Sequence, residues 1–165
     1  MELYFLRHAA AVDPGEFPPG RDSERPLTSE GIKKMTKAAE GMSKLGLSFD
    51  EVISSPYVRA RQTAEIAAKG VGFKGKIRYT DAMTPAAVLK ELFRELKEQK
   101  VSSRLLLVGH QPSIGEFVSE LVTGQKGLSL DYKKGALCLI ELDPGDSLHG
   151  RMMWFLTSRQ LRALV

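Results

Sequence analysis

An α/β sandwich on a mainly parallel sheet is the fold class that this 165-residue sequence predicts. The first observation behind it is alternation: short apolar runs follow one another with amphipathic, helix-period segments between them. The second is "RLLLVG", Arg104 to Gly109, whose unbroken apolar character suits a strand buried on both faces. The third is a late pair, "ALCLIEL" and "RMMWFLT", joined by "DPGDSLHG". This reads as a hairpin-type connection that adds an antiparallel strand.

The elements follow in order. "YFLR" ends the first strand and runs into a long loop, Ala9 to Pro26, rich in Pro, Gly and charge. A loop of that length inside a compact domain is often functional. Thr28 is a good N-cap with Glu30 in the first turn, so a helix is expected there, with Ile32, Met35, Ala39 and Met42 on one face. "EVIS", Glu51 to Ser54, is a short buried strand, and a helix from about Tyr57 to Lys69 ends at Gly70. "KIRY", Lys76 to Tyr79, is a weaker strand signal. Pro85 is suited to open the next helix, with Val88, Leu89, Leu92, Phe93 and Leu96 as its apolar stripe. After "RLLLVG", Pro112 opens a further helix with Ile114, Phe117, Val118, Leu121 and Val122 on one side.

Length suits a single domain over residues 1–165. With 42% hydrophobic and 27% charged residues, the composition is that of an ordinary soluble globular protein. No apolar run approaches the roughly 20 residues of a membrane span. A single cysteine, Cys138, excludes an internal disulfide framework and fits a reducing, cytoplasmic setting. The net charge of +4 permits an anionic partner without selecting one.

Ligands of open α/β sheets bind beyond the carboxyl ends of the parallel strands. His8 lies just past the first strand and His110 just past "RLLLVG". Ser54 and Ser55 end the second strand, and Arg59 opens the helix behind it. Two histidines and at least two arginines, Arg7 and Arg59, should therefore meet at one edge, with Arg25 of the long loop able to fold over it. Several guanidinium charges disfavour a metal there, and no H-E-x-x-H spacing is present. Cys138 is mid-strand, and His149 reads as a surface residue of the late turn. Arginine forks match phosphate oxygens, and a neutral imidazole among them can act as a nucleophile. Phosphoryl transfer and plain anion binding both fit this set; nucleic-acid binding lacks any recognised motif.

The blocks "LRHAAAVD", "RPLTSEGIKK", "VISSPYVRARQTAEI" and "LLLVGHQPSIGEFVSEL" resemble, in order, the motifs of the histidine phosphatase superfamily, also called phosphoglycerate mutase-like. The likeness runs from Leu6 to Leu121 and points to the small SixA-type branch, the phosphohistidine phosphatases. The resemblance implies a three-layer α/β/α sandwich. It makes His8 the nucleophile, with Arg7, Arg59 and His110 as the phosphate pocket and Arg25 as a further pocket or loop-anchoring residue. Ser55, Gln62 and Thr63 fall in a motif of mainly structural role. No metal or organic cofactor is implied. The expected partner is a phosphohistidine-bearing protein, such as a phosphotransfer domain, met by a monomer with no nucleic acid or membrane involved.

Two departures stand out. Ala9 replaces the family's usual glycine, which matters if that position needs a left-handed backbone. Only Gly70 to Thr84 separates the second helix from the third, too little for a lid. A strong proton donor is also missing. Asp81 is the best-placed candidate by the edge argument, with Asp13, Asp22 and Glu24 as alternatives. An open pocket without a strong acid suits a bulky substrate with a good leaving group, as in protein phosphohistidine. A broad small-molecule phosphomonoesterase and a non-catalytic phosphate-binding module are the alternatives.

Overall fold

The computed structural model describes residues 1–98, 103–143 and 148–165. Its centre is one six-stranded sheet, in the order β3-β2-β4-β1-β5-β6. The strands are β1 (Glu2–Arg7), β2 (Glu51–Ser54), β3 (Ile77–Tyr79), β4 (Arg104–Gly109), β5 (Leu137–Leu142) and β6 (Gly150–Leu156). The first four run parallel; β5 is antiparallel to β1, and β6 is antiparallel to β5. Of the connection "DPGDSLHG", residues 144–147 lie outside the described residues.

Alternation along the strands divides the core in two. Leu3, Phe5, Leu105, Leu107, Cys138 and Ile140 face α3 (Leu89–Glu98) and α4 (Ser113–Thr123). Tyr4, Leu6, Leu106, Val108, Leu137 and Leu139 face α1 (Ser29–Lys44), α2 (Val58–Gly70) and α5 (Ser158–Arg162). The architecture is therefore the three-layer α/β/α sandwich, mainly parallel, with β5 as the antiparallel strand.

Three sequence expectations need correction. Ile32 is 41% exposed; Met35, Ala39 and Met42 are buried as expected, and Gly31, Ala38 and Gly41 complete that face of α1. Small residues won because α1 lies against backbone: a Cβ on Gly31 would come within 2.0 Å of the Ala10 carbonyl oxygen, and one on Gly41 within 2.0 Å of that of Leu161. Pro85 does not open α3. The segment after β3 forms a 3₁₀ turn over Asp81–Met83, and the helix starts at Leu89, leaving Val88 42% exposed. Val122 likewise points outward on α4. One helix went unread: α5 opens with a capping box, Thr157 and Gln160, a signal that the sequence does carry. Elsewhere Thr28 caps α1 by accepting from the Gly31 N–H at 2.9 Å. α2 ends at Gly70, although the left-handed residue after it is Gly72, with φ +73.

Candidate active site

β1 and β4 are neighbours in register, Arg7 opposite Gly109, so the residues that follow them emerge side by side. The His8 and His110 rings stand 5.0 Å apart between centroids. Ser55, at the end of β2, donates or accepts at His110 Nε2 over 2.8 Å. Tyr57 meets the same imidazole edge-on at 5.2 Å, and the Arg59 guanidinium lies over the Tyr57 ring at 5.1 Å. Three adjacent strand ends thus bring His8, His110, Ser55 and Arg59 together, with Arg7 on the last residue of β1.

Hydrogen bonding decides the imidazole tautomers. His8 Nδ1 lies 2.7 Å from the Ala9 carbonyl oxygen, which can only accept. Nδ1 therefore carries the proton and Nε2 keeps its lone pair. Ser55 Oγ already accepts from the Tyr57 N–H, so its own hydrogen best serves His110 Nε2. That leaves His110 Nδ1–H as a donor with no partner. Burial, followed by the charges of Arg59, Arg7 and Lys134, pushes His8 down to about 3, against the Ala9 bond that favours its proton. Burial pushes His110 down to about 2, helped by His8 and Arg59. Desolvation, more than the arginines, is what keeps both rings neutral at pH 7.

The arginines are held on one side only. Arg7 Nη1 donates to the Tyr132 carbonyl at 2.7 Å, and the buried Tyr132 hydroxyl donates to the Phe5 carbonyl at 2.5 Å. Arg59 Nη1 donates to the Asp22 carbonyl at 2.7 Å, and Nη2 to the Asp22 carboxylate at 3.0 Å. Burial pulls both guanidiniums below their ordinary value. Among the described residues, five buried side-chain nitrogens lack a hydrogen-bond partner, and three of them are Arg7 Nε, Arg59 Nε and His110 Nδ1. Buried donors are rarely left unpaired, so their concentration beside His8 marks a place built for an acceptor.

Arg25 is buried too, but its Nη1 donates to the Val12 carbonyl and its Nε to Asp22 at 2.9 Å. It anchors the long loop. Asp22 therefore bridges Arg25 and Arg59. Burial raises the Asp22 carboxyl, but the hydrogen bonds from Arg25 and Arg59 outweigh it and hold the group below the ordinary carboxylate value. Asp81 sits past the edge strand β3, exposed, and its carboxylate has no hydrogen-bond partner among the described residues. Asp13 caps a 3₁₀ turn through Gly15 N, and Glu24 pairs with Arg21. Cys138 is buried and pushed up to about 12 by desolvation, and His149 is exposed, as expected of both.

The neighbouring motif residues hold the loops. Thr63 Oγ1 accepts from the Ala9 N–H at 3.0 Å, and Gln62 Oε1 accepts from the Leu27 N–H at 2.8 Å. No non-glycine residue among those described has positive φ, so Ala9 occupies its place without backbone strain. Sequence reading missed Tyr132 and Tyr57, and it rated Asp22 only as an alternative acid. Their partners lie 125, 53 and 37 residues away along the chain.

Residues 3–84 match the family model described as histidine phosphatase superfamily (branch 1). The chain is 30% identical over 131 residues to a phosphohistidine phosphatase SixA homolog of Haemophilus influenzae, covering 73% of this chain and 77% of that protein. It is 25% identical over 166 residues to phosphohistidine phosphatase SixA of Escherichia coli, covering 98% and 97%. The solved structure of the protein histidine phosphatase SixA complexed with tungstate superposes with a TM-score of 0.82 at 24% identity, over 98% of this chain and 99% of that one. Four motif blocks, a shared fold and relatives of near-equal length agree: the chain belongs to the histidine phosphatase superfamily.

Proposed function

We propose that this protein is a phosphohistidine phosphatase acting on proteins, with His8 as its nucleophile. The observation that carries the reading is the set of three unpartnered buried donors, Arg7 Nε, Arg59 Nε and His110 Nδ1, around a neutral imidazole whose Nε2 lone pair is free. A phosphoryl group supplies the acceptor oxygens those donors lack. The SixA relatives carry the activity in their names, and one was solved with tungstate, a tetrahedral oxyanion.

His8 Nε2 attacks phosphorus while the bond from phosphorus to the substrate's imidazole nitrogen breaks. The electron pair stays on that nitrogen. If the leaving ring already bears a proton on its other nitrogen, it departs neutral and no enzyme acid is needed. Arg7, Arg59 and His110 hold the equatorial oxygens, where charge gathers during transfer. Water then attacks the phosphoryl group on His8. As the bond from phosphorus to Nε2 breaks, its electron pair returns to Nε2; both water protons leave with the phosphate, one of them passing to solvent, and His8, still protonated on Nδ1, is back in its starting tautomer. The carboxyls fit this scheme: Asp22 is held ionised, Asp13 and Glu24 are engaged elsewhere, and Asp81 is exposed. An alkoxide leaving group would need a donor that none of them is arranged to be. No step calls for a metal, and the arginine charges repel one.

The test is brief reaction with a phosphohistidine protein, acid-free denaturation, and mapping of the trapped phosphate. It should sit on His8, be acid-labile and alkali-stable, and vanish in His8→Ala. Beside it, kcat/KM should fall steeply from phosphohistidine and aryl phosphates to sugar phosphates and phosphoserine, with EDTA making no difference. Phosphate on a carboxylate or serine, or efficient sugar-phosphate turnover, would overturn the reading.

A further inference from the structure

A second feature adjoins the site on the β5 side. A cleft of about 750 Å³ opens between α1, the turn before β5 and α5. Six cations line it: Arg7, Lys34, Lys133, Lys134, Arg159 and Arg162, with no aspartate or glutamate among the lining residues. Two of the six have carboxylate partners outside the lining, Lys34 with Glu30 at 3.2 Å and Lys133 with Asp131 at 3.1 Å. Lys134, Arg159 and Arg162 have none among the described residues, and the buried Nε atoms of Arg7 and Arg162 are both unpartnered. Arg7 belongs to cleft and site alike, and the Lys134 charge is felt at His8. The two are electrostatically continuous.

We infer that this cleft docks an acidic surface of the substrate protein, carboxylates flanking the phosphohistidine. The inference rests on the protein-phosphatase reading above. The kind of cation selects the occupant. A second phosphate would call for buried guanidinium forks converging on one point, as at Arg7 and Arg59. Here Lys34, Lys133, Lys134 and Arg159 are exposed and only Arg162 is half-buried; they stand on three separate elements, and the lysines act as hydrated point charges. Such an array attracts an extended anionic face, steering encounter and register more than adding deep contact energy.

The test uses two synthetic phosphohistidine peptides, one flanked by glutamates and one by glutamines, with para-nitrophenyl phosphate as the small substrate. Wild type should favour the glutamate peptide by about tenfold in kcat/KM at roughly 20 mM salt, and the preference should fade toward unity near roughly 0.5 M as screening shortens. Lys34→Glu/Arg159→Glu changes two exposed residues outside the phosphate pocket. It should abolish or invert the preference and leave para-nitrophenyl phosphate turnover within about twofold, since exposed charges at a distance act weakly on the chemistry. Equal turnover of the two peptides by wild type, or a preference that survives in the variant, overturns the inference. If neither peptide is hydrolysed while the aryl phosphate is, the proposed function fails, and anisotropy with the unphosphorylated glutamate peptide reads the cleft alone. Binding to wild type and not to the variant sustains it; no binding to wild type overturns it. A DNA oligonucleotide of equal charge that binds more tightly, and is released by the same substitutions, would reassign the cleft to nucleic acid.

Discussion

Under the proposed function an incoming oxyanion shares Arg59 with the Asp22 carboxylate, which holds that guanidinium in the free protein. In the free protein it compensates two buried guanidiniums, and it is itself half exposed, at 53% for the side chain. Two effects oppose each other when its charge is removed. The arginines lose a charged partner, yet the oxyanion loses a like charge, worth about 4 kcal/mol at 4 Å and an effective dielectric constant near 20, less for so exposed a group. Asn at this position keeps an oxygen that can accept from Arg59, so repulsion decides. Asp22→Asn should bind inorganic phosphate or tungstate about tenfold more tightly by calorimetry, a change of about 1.4 kcal/mol. Weaker binding would mean that Asp22 chiefly aims the arginines. His8, His110, Arg7 and Arg59 were legible in the sequence because strand ends announce themselves by pattern. The Asp22 bridge was not, because no periodicity links residues 22 and 59.

Helix α1 shows the same limit one level up. Its cap and most of its buried face, Met35, Ala39 and Met42, were readable; the exposure of Ile32 and the burial of Gly31 and Gly41 were not, because the deciding contacts are with backbone outside the helix. Gly31 presses on Ala10, two residues past His8, and Gly41 presses on Leu161 of α5. Alanine at an exposed helical glycine gains up to about 1 kcal/mol of propensity. Here the added methyl must displace main chain, and overpacking of that kind costs typically about 1–3 kcal/mol. Both Gly31→Ala and Gly41→Ala should therefore lose stability in urea titrations. Only Gly31→Ala, which pushes the loop carrying Ala9 and Ala10, should also lower kcat for the aryl phosphate. The short α5 was overlooked although Thr157 and Gln160 spell a capping box, since five residues carry too little periodicity to register. The late start of α3 has a different cause: Pro85 fits a turn as readily as a first helical residue.

Across the whole molecule, the alternation of strands and helices was enough to give an α/β sandwich on a mainly parallel sheet; the three layers were implied by the family resemblance, and the strand order fixes which loops converge. A thermodynamic consequence follows from burying two neutral histidines. Both have folded values below the unfolded value near 6.5, at about 3 for His8 and about 2 for His110. The unfolded chain therefore binds more protons as pH falls, so the stability is fully present above about 6.5 and drains away through the acid range toward those folded values. Each histidine can cost up to about 1.4 kcal/mol per pH unit below 6.5. The Tm of wild type should drop more between pH 7 and pH 5 than that of His8→Asn/His110→Gln, when both are read by calorimetry in the same buffers. Parallel curves would place the acid sensitivity elsewhere.

Strand β1 lies between β4 and β5, hydrogen-bonded on both sides, and Arg7 and His8 continue that pairing through Ala136 and Gly109. The segment with Asp22 has no such neighbours: its 3₁₀ turns bury no residue. In hydrogen-exchange terms, the amides of Arg7 and His8 belong to the unit that opens only when the sheet does, whereas those of residues 13–24 sit at the low-energy end of local opening. The His8 imidazole is thus fixed as firmly as the fold itself, while Asp22, the counter-charge of Arg25 and Arg59, is carried on a segment that can open locally.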